Sequence, residues 1–170
     1  MDGNWVKWKP QNYDGSTGGL TTFREGLRKS MNLISVRMVQ QDIAPAEQVK
    51  QTAKRMGINT DIRAVDAIAL GTSEVFPLEM VAAYSALSNK GVYSKPFAIT
   101  KIEDRYGNVI KDYFPERSEV LSEETAYLMT SMMQTVMDRG TGGSARWKYK
   151  FNRPAAGKTG TSQSLRDAWF

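Results

Sequence analysis

The sequence predicts an α/β (α+β) fold: a helical subdomain plus part of an antiparallel sheet, with the strands gathered towards the C-terminus. Three observations carry this expectation. Apolar residues recur at helical spacing behind capping signals from Thr22 to Asn89. The period drops to two on both sides of Tyr106-Gly107-Asn108. Short segments rich in Gly, Thr and aromatic residues follow Gly140 and read as further strands.

Taken in order, residues 1–20 include "WVKWKPQNYDGSTGG", a run of Gly, Pro and turn formers that predicts an irregular lead-in. A helical part is expected over 21–92. Thr22 with Glu25 three residues later is a capping-box pattern ahead of Phe23, Leu27 and Met31. A second apolar set, Leu33, Val36, Met38 and Val39, predicts another helix to about Gln41. Pro45 suits the first position of a helix through "AEQVKQTAKRM", stopped at Gly57. The stretch 59–75 has mixed character and predicts no single element. Pro77 opens "LEMVAAYSALSNK", with Gly91 expected at C′.

A β-hairpin is expected over 96–114, in "FAITKIEDRYGNVIKDYF". The clearest helix lies over 120–140. Ser122 caps it, Glu123 and Glu124 suit the positive end of its dipole, and Gly140 closes it. Within 145–170, "RWKYKF" alternates strictly and "PAAGKTGTS" and "DAWF" look extended, so this region is expected to hold the active-site strands.

At 170 residues the chain can build one domain with a core. Apolar residues at 41% and charged residues at 24% match a globular protein. There is no Cys and no His, which excludes thiolate catalysis, imidazole bases and Cys- or His-ligated metals within this chain. Any nucleophile here would need a lysine or carboxylate as its base, and no metal or cofactor is expected. The net charge of +5 suits an anionic partner, although mild basicity also serves plain solvation. No run reaches the roughly 18 apolar residues of a membrane span, and "MDGNWVKWKP" holds no targeting signal.

The run "AAGKTGTSQS" at 155–164 poses the main chemical choice. A phosphate loop needs glycine five residues before Gly157, where Asn152 stands, and needs a helix after the lysine. The text after Lys158 is β-like, so the phosphate reading fails. In an extended strand Thr159 and Thr161 share a face, and Lys158 adds an ammonium beside them. That set suits a carboxylate. Gly160 between them is expected where another backbone approaches closely. A plain polar edge strand explains the same four residues if nothing else agrees.

"SMN", Ser30 to Asn32, lies at the seam between the first two helical sets. On a continuous helix residues two apart diverge by about 200°, so Ser30 and Asn32 converge only if the helix breaks there. A polar stripe on an amphipathic helix is the alternative. "RWKYKFNR" interleaves cations and aromatics as single-strand nucleic-acid binders do. A strand with an aromatic inner face and basic outer face explains it as well, and no nucleic-acid partner is expected. "GTGGS" reads as a turn into the active-site strand, with an anion-binding nest as the alternative.

Together and in this order, "SMN" and "KTGT" are two of the three signatures of penicillin-interacting serine acyltransferases. The longer segments "WKPQNYDG", "LTTFREGLRKSMNLISVRMV", "VLSEETAYLMTSMMQTVMDRGTGG" and "PAAGKTGTSQSLRDAWF" resemble the transpeptidase domain of class A (bifunctional) penicillin-binding proteins, collinearly over essentially the whole chain. The resemblance implies a β-lactamase/transpeptidase-like fold, present here as a part incomplete at both ends. It implies a serine D,D-transpeptidase that cross-links peptidoglycan stem peptides ending in D-Ala-D-Ala and is acylated by β-lactams. It also implies placement of the parent protein on the extracytoplasmic face of the bacterial cytoplasmic membrane. Ser30 would relay a proton, and Lys158 would polarise Ser30 and attract the terminal carboxylate. Asn32 would bind substrate amides. Thr159, Gly160 and Thr161 would line the substrate strand, the threonines holding the carboxylate and the Thr161 N–H forming half of an oxyanion hole.

One departure stands out. No serine in the chain is followed three residues later by lysine, so the S-x-x-K nucleophile motif is missing. The chain alone is therefore expected to be inactive and to depend on the remainder of the transpeptidase domain. The rival expectation is a non-catalytic fragment that binds peptidoglycan peptides or serves as a scaffold.

Overall fold

The computed structural model describes residues 8–17, 19–161 and 168–170. These fall into two compact units. The first comprises the described residues within 1–47, 64–72 and 131–170, and the second residues 48–63 and 73–130. Among the described residues, no helix is long and apolar enough to cross a membrane.

The first unit begins with α1 (Phe23–Lys29) and α2 (Asn32–Gln40). Thr22 caps α1 by accepting the Glu25 N–H at 3.2 Å, while the Glu25 carboxylate pairs with Arg28 at 2.9 Å. Only half of the expected capping box thus forms, because a cation one turn along competes for the carboxylate. Gly26 lets α2 approach: an added Cβ would lie 2.6 Å from Ile34 Cδ1. Val36 and Val39 of α2 are buried, as are Met133, Val136 and Met137 of α5 (Glu123–Arg139). The mixed stretch contributes a 3-10 helix, Asp66–Leu70, packed on α2 and tied to it by Gln40 Nε2 donating to Asp66 at 2.9 Å.

In the second unit α3 (Ala46–Arg55) follows directly on Pro45. Its end is a Schellman motif, in which Gly57 takes φ 97° and the Ile58 N–H donates to Ala53 at 3.1 Å. α4 (Pro77–Ser88) has Pro77 in its first turn, as expected. Its end differs from expectation. Lys90 takes the left-handed conformation at φ 56°, and Gly91 follows at φ 86°, one residue beyond C′. Gly91 is needed for another reason: a Cβ there would collide with the Leu121 carbonyl.

The expected hairpin forms from β2 (Lys101–Glu103) and β3 (Val109–Asp112), antiparallel, with a register shift at Ile102/Glu103. A second antiparallel pair, β1 (Val92–Ser94) with β4 (Arg117–Glu119), was not anticipated. Ser122 caps α5 through the Thr125 N–H at 3.2 Å.

Beyond Gly140 the expectation fails for "RWKYKF". Residues Ser144–Trp147 form a short helix, α6, and not a strand. The glycine turn starts a run of local bonds, from Gly143 N–H to Gly140 through Lys148 N–H to Ser144. Arg146 then fixes the segment, reaching Asp138 at 3.0 Å and the carbonyls of Phe151 and Arg153. Trp147 and Tyr149 are both 69% exposed, so the alternation does not mark an aromatic inner face. Extended structure returns as β5 (Gly160–Thr161), antiparallel to β6 (Ala168–Trp169).

Candidate active site

The site is built where α1 stops. Ser30 adopts φ 55° and ψ 47°, its N–H donates to Leu27 at 3.1 Å, and the Met31 N–H donates to Gly26 at 2.9 Å. This is a Schellman end with serine in the position glycine normally fills. A non-glycine residue there costs roughly 1 kcal/mol or more. α2 then restarts at Asn32. The helix breaks between Lys29 and Leu33, which removes the divergence that would otherwise separate Ser30 from Asn32.

The break aims the Ser30 hydroxyl at the C-terminal strand. Lys158 Nζ donates to Ser30 Oγ at 2.7 Å and to the Thr159 carbonyl at 2.9 Å. These partners lie 128 residues apart in sequence. Lys158 is half-buried, and burial pulls its ammonium below the ordinary lysine range. An ammonium with few competing partners donates strongly to one hydroxyl, and its low affinity for the proton makes it easier to discharge.

Thr159 lies one residue along. Its hydroxyl meets that of Thr141 at 2.7 Å. Thr141 itself is set by its N–H donating to the Arg28 carbonyl at 3.2 Å, and by Gly140, whose absent Cβ would sit 2.5 Å from that same carbonyl. Sequence reading gave "GTGGS" as a turn, with an anion-binding nest as the alternative, and assigned Thr141 no role of its own. A hydroxyl directly after a helix-ending glycine is the one signal that could have marked Thr141.

The close approach expected at Gly160 is not made by any described residue, and residues 162–167 lie outside these. A Cβ on Gly160 would meet its nearest described heavy atom, the Trp169 carbonyl oxygen, at 3.9 Å, an ordinary contact. The close approaches fall at Gly157 and Gly142, where a Cβ would lie 2.8 Å and 2.9 Å from the Phe170 ring. The ring therefore packs where the strand enters the site. Gly160 and Thr161 form β5, and their backbones pair with Trp169 and Ala168.

Ser30 and Lys158 thus come together within hydrogen-bonding reach, while Thr159 meets Lys158 through its carbonyl and turns its hydroxyl to Thr141. Asn32 stands at the first turn of α2, its amide donating to the Gln11 carbonyl at 2.9 Å. The assembly offers a serine hydroxyl bonded to a partly desolvated ammonium, with a threonine hydroxyl pair on the next residue of the strand. Among the described residues no group of side chains is suited to hold a metal ion.

The family model described as the penicillin-binding protein transpeptidase domain matches residues 1–168. Penicillin-binding protein 1A of Aquifex aeolicus is 37% identical over 163 residues, covering 96% of this chain and 22% of that protein. The crystal structure of penicillin-binding protein 1A from Haemophilus influenzae is similar with a TM-score of 0.87 and 25% identity, over 99% of this chain and 30% of that one. Penicillin-binding protein A of Mycobacterium tuberculosis, solved as an imipenem acyl-enzyme complex, shares the fold with a TM-score of 0.73 at 18% identity, over 93% of this chain and 40% of that one. The chain spans about a fifth to two fifths of the length of these relatives. With two motifs in order, a matching fold and a family match over nearly every residue, the chain belongs to the transpeptidase domain family of the penicillin-binding proteins.

Proposed function

We propose that this chain supplies the proton-relay and carboxylate-binding half of a serine acyl-transfer site that cross-links peptidoglycan stem peptides and reacts with β-lactams. The observation that carries this reading is the 2.7 Å bond from Lys158 Nζ to Ser30 Oγ. It joins the two motifs through their polar atoms, which a mere edge strand would have no reason to do.

In this mechanism a serine hydroxyl from an S-x-x-K segment outside this chain attacks the penultimate D-Ala carbonyl. A carbon–oxygen bond forms and the amide carbon–nitrogen bond breaks. The proton of the attacking serine passes to the lysine of the S-x-x-K segment and from it to Ser30 Oγ, which gives its own proton to the departing D-Ala amine. Lys158 holds the Ser30 hydroxyl and attracts the terminal carboxylate. The hydroxyls of Thr159 and Thr161 donate to that carboxylate, Asn32 binds the substrate amide, and the Thr161 N–H stabilises the oxyanion. The peptide lies along β5 as an added strand. The parent protein works on the extracytoplasmic face of the cytoplasmic membrane. Without an S-x-x-K motif, the same groups taken alone would bind peptide without turnover, which is the scaffolding alternative.

The test is the second-order rate of acylation by a fluorescent penicillin in the intact protein that carries this segment. Lys158→Ala should slow it by about a hundredfold or more. Thr161→Val should be milder, since the backbone N–H stays. A Lys158→Ala variant acylated at the wild-type rate would leave "GKTGTS" as an ordinary edge strand.

A further inference from the structure

Asn12 lies in the lead-in, which sequence reading left without a role, yet it is 5% exposed. Its side chain is fully engaged. Oδ1 accepts the Leu33 N–H at 3.0 Å, and Nδ2 donates to the Ser16 carbonyl at 2.9 Å and to Ser16 Oγ at 3.3 Å. The chain around it is a tight turn: Gly15 N–H donates to the Asn12 carbonyl at 3.0 Å, and Ser16 N–H donates to Asp14 at 3.0 Å.

The target of that amide is informative. α2 has no cap of its own, since Met31 occupies the N-cap position and offers no side-chain acceptor. One of the unsatisfied N–H groups at its start is that of Leu33, and Asn12 meets it from 21 residues away. Next door, the Gln11 carbonyl accepts from Asn32. Two consecutive lead-in residues therefore clamp the first two residues of α2. Between the last residue of α1, Lys29, and this clamp only Ser30 and Met31 remain, and Ser30 holds the left-handed conformation that disfavours a side chain. Asn12 and Ser30 also line the same open groove.

We propose that Asn12 is a positioning residue, a cap supplied from 21 residues upstream that fixes the start of α2 and so holds the Ser30 hydroxyl on Lys158. This rests on the acyl-transfer reading given above. Asn12 acts through Ser30 and touches no reacting atom. Its loss should affect the covalent step much more than the prior binding of the β-lactam, because misplacement of a relay group by about 1 Å is felt mainly in the reaction.

The experiment resolves acylation of the intact protein by a fluorescent penicillin into a pre-covalent dissociation constant and an acylation rate constant. Asn12→Leu removes the acceptor at nearly constant size. It should lower the rate constant about tenfold to a hundredfold, with the dissociation constant changed by no more than about twofold. Asn12→Asp keeps an oxygen for the Leu33 N–H and places negative charge at a helix start, so it should be acylated faster than Asn12→Leu although it loses the donor to the Ser16 carbonyl. Asn12→Leu acylated at the wild-type rate, or Asn12→Asp as slow as Asn12→Leu, would overturn the proposal. Should Asn12→Leu not fold, Asn12→Gln replaces it: the amide is kept but carried one methylene past Leu33, and a wild-type rate there would overturn the proposal equally. Lys158→Ala run alongside separates the two ideas. A slow Lys158→Ala with an unaffected Asn12→Leu removes only the role of Asn12, whereas a normal Lys158→Ala removes the acyl-transfer reading itself.

Discussion

Lys158 carries its charge in a place that disfavours it. Burial depresses its pKa, so the ammonium is lost at a lower pH than a free lysine would lose it. The sign is fixed by the charged form being the one that attracts a substrate carboxylate and donates to Ser30. Second-order acylation by a carboxylate-bearing β-lactam should therefore fall on an alkaline limb that lies below the ordinary lysine range. Lys158→Arg should move that limb upward out of reach, because a guanidinium keeps its proton. A limb at the same pH in both proteins would assign it to another group. The types of these residues were legible in the sequence, since "SMN" and "KTGT" imply a hydroxyl, an amide and an ammonium by composition alone. Asn12 and Thr141 were not. Both make their side-chain bonds from turns, where no period distinguishes an inward residue from an outward one.

The elements that aim these side chains are short, and their ends matter more than their middles. α1 and α2 have 7 and 9 residues, and the break between them was predictable because an unbroken helix would point Ser30 and Asn32 apart. Helices with caps were readable in general: Thr22, Gly57, Pro77 and Ser122 all act near the ends the sequence assigns them. The three-residue pairing of β1 with β4 was not, because strands so short carry no period. "RWKYKF" misled because alternation reports a strand only where a partner edge exists, and here Arg146 holds a helical turn instead. The junction of α1 with the glycine turn yields a sharp prediction. Gly140→Ala would drive a methyl to within 2.5 Å of the Arg28 carbonyl and 2.8 Å of Val136 Cα, both backbone atoms unable to rotate away. Overpacking of this kind costs about 1–3 kcal/mol. A urea midpoint unchanged from wild type would show that the turn relaxes freely.

At the scale of the whole molecule, family membership was legible because long segments agree in order, while the position of each side chain needed the fold. A chain without S-x-x-K should not form an SDS-stable adduct with fluorescent penicillin; a stoichiometric adduct on any of its serines would show that the nucleophile lies within these residues. Stability and activity should also separate at the helix break. If the left-handed Ser30 is held there for its hydroxyl, the protein gives up stability to keep it. The most direct test is Ser30→Gly in the intact protein, with chemical denaturation and β-lactam acylation measured on the same preparation. Glycine accepts φ 55° without steric penalty, so stability should stay level or rise by up to about 1 kcal/mol. Acylation should slow by about a hundredfold or more, because the relay hydroxyl and the partner of Lys158 are both gone. A Ser30→Gly protein that is acylated at the wild-type rate would contradict the account at its centre.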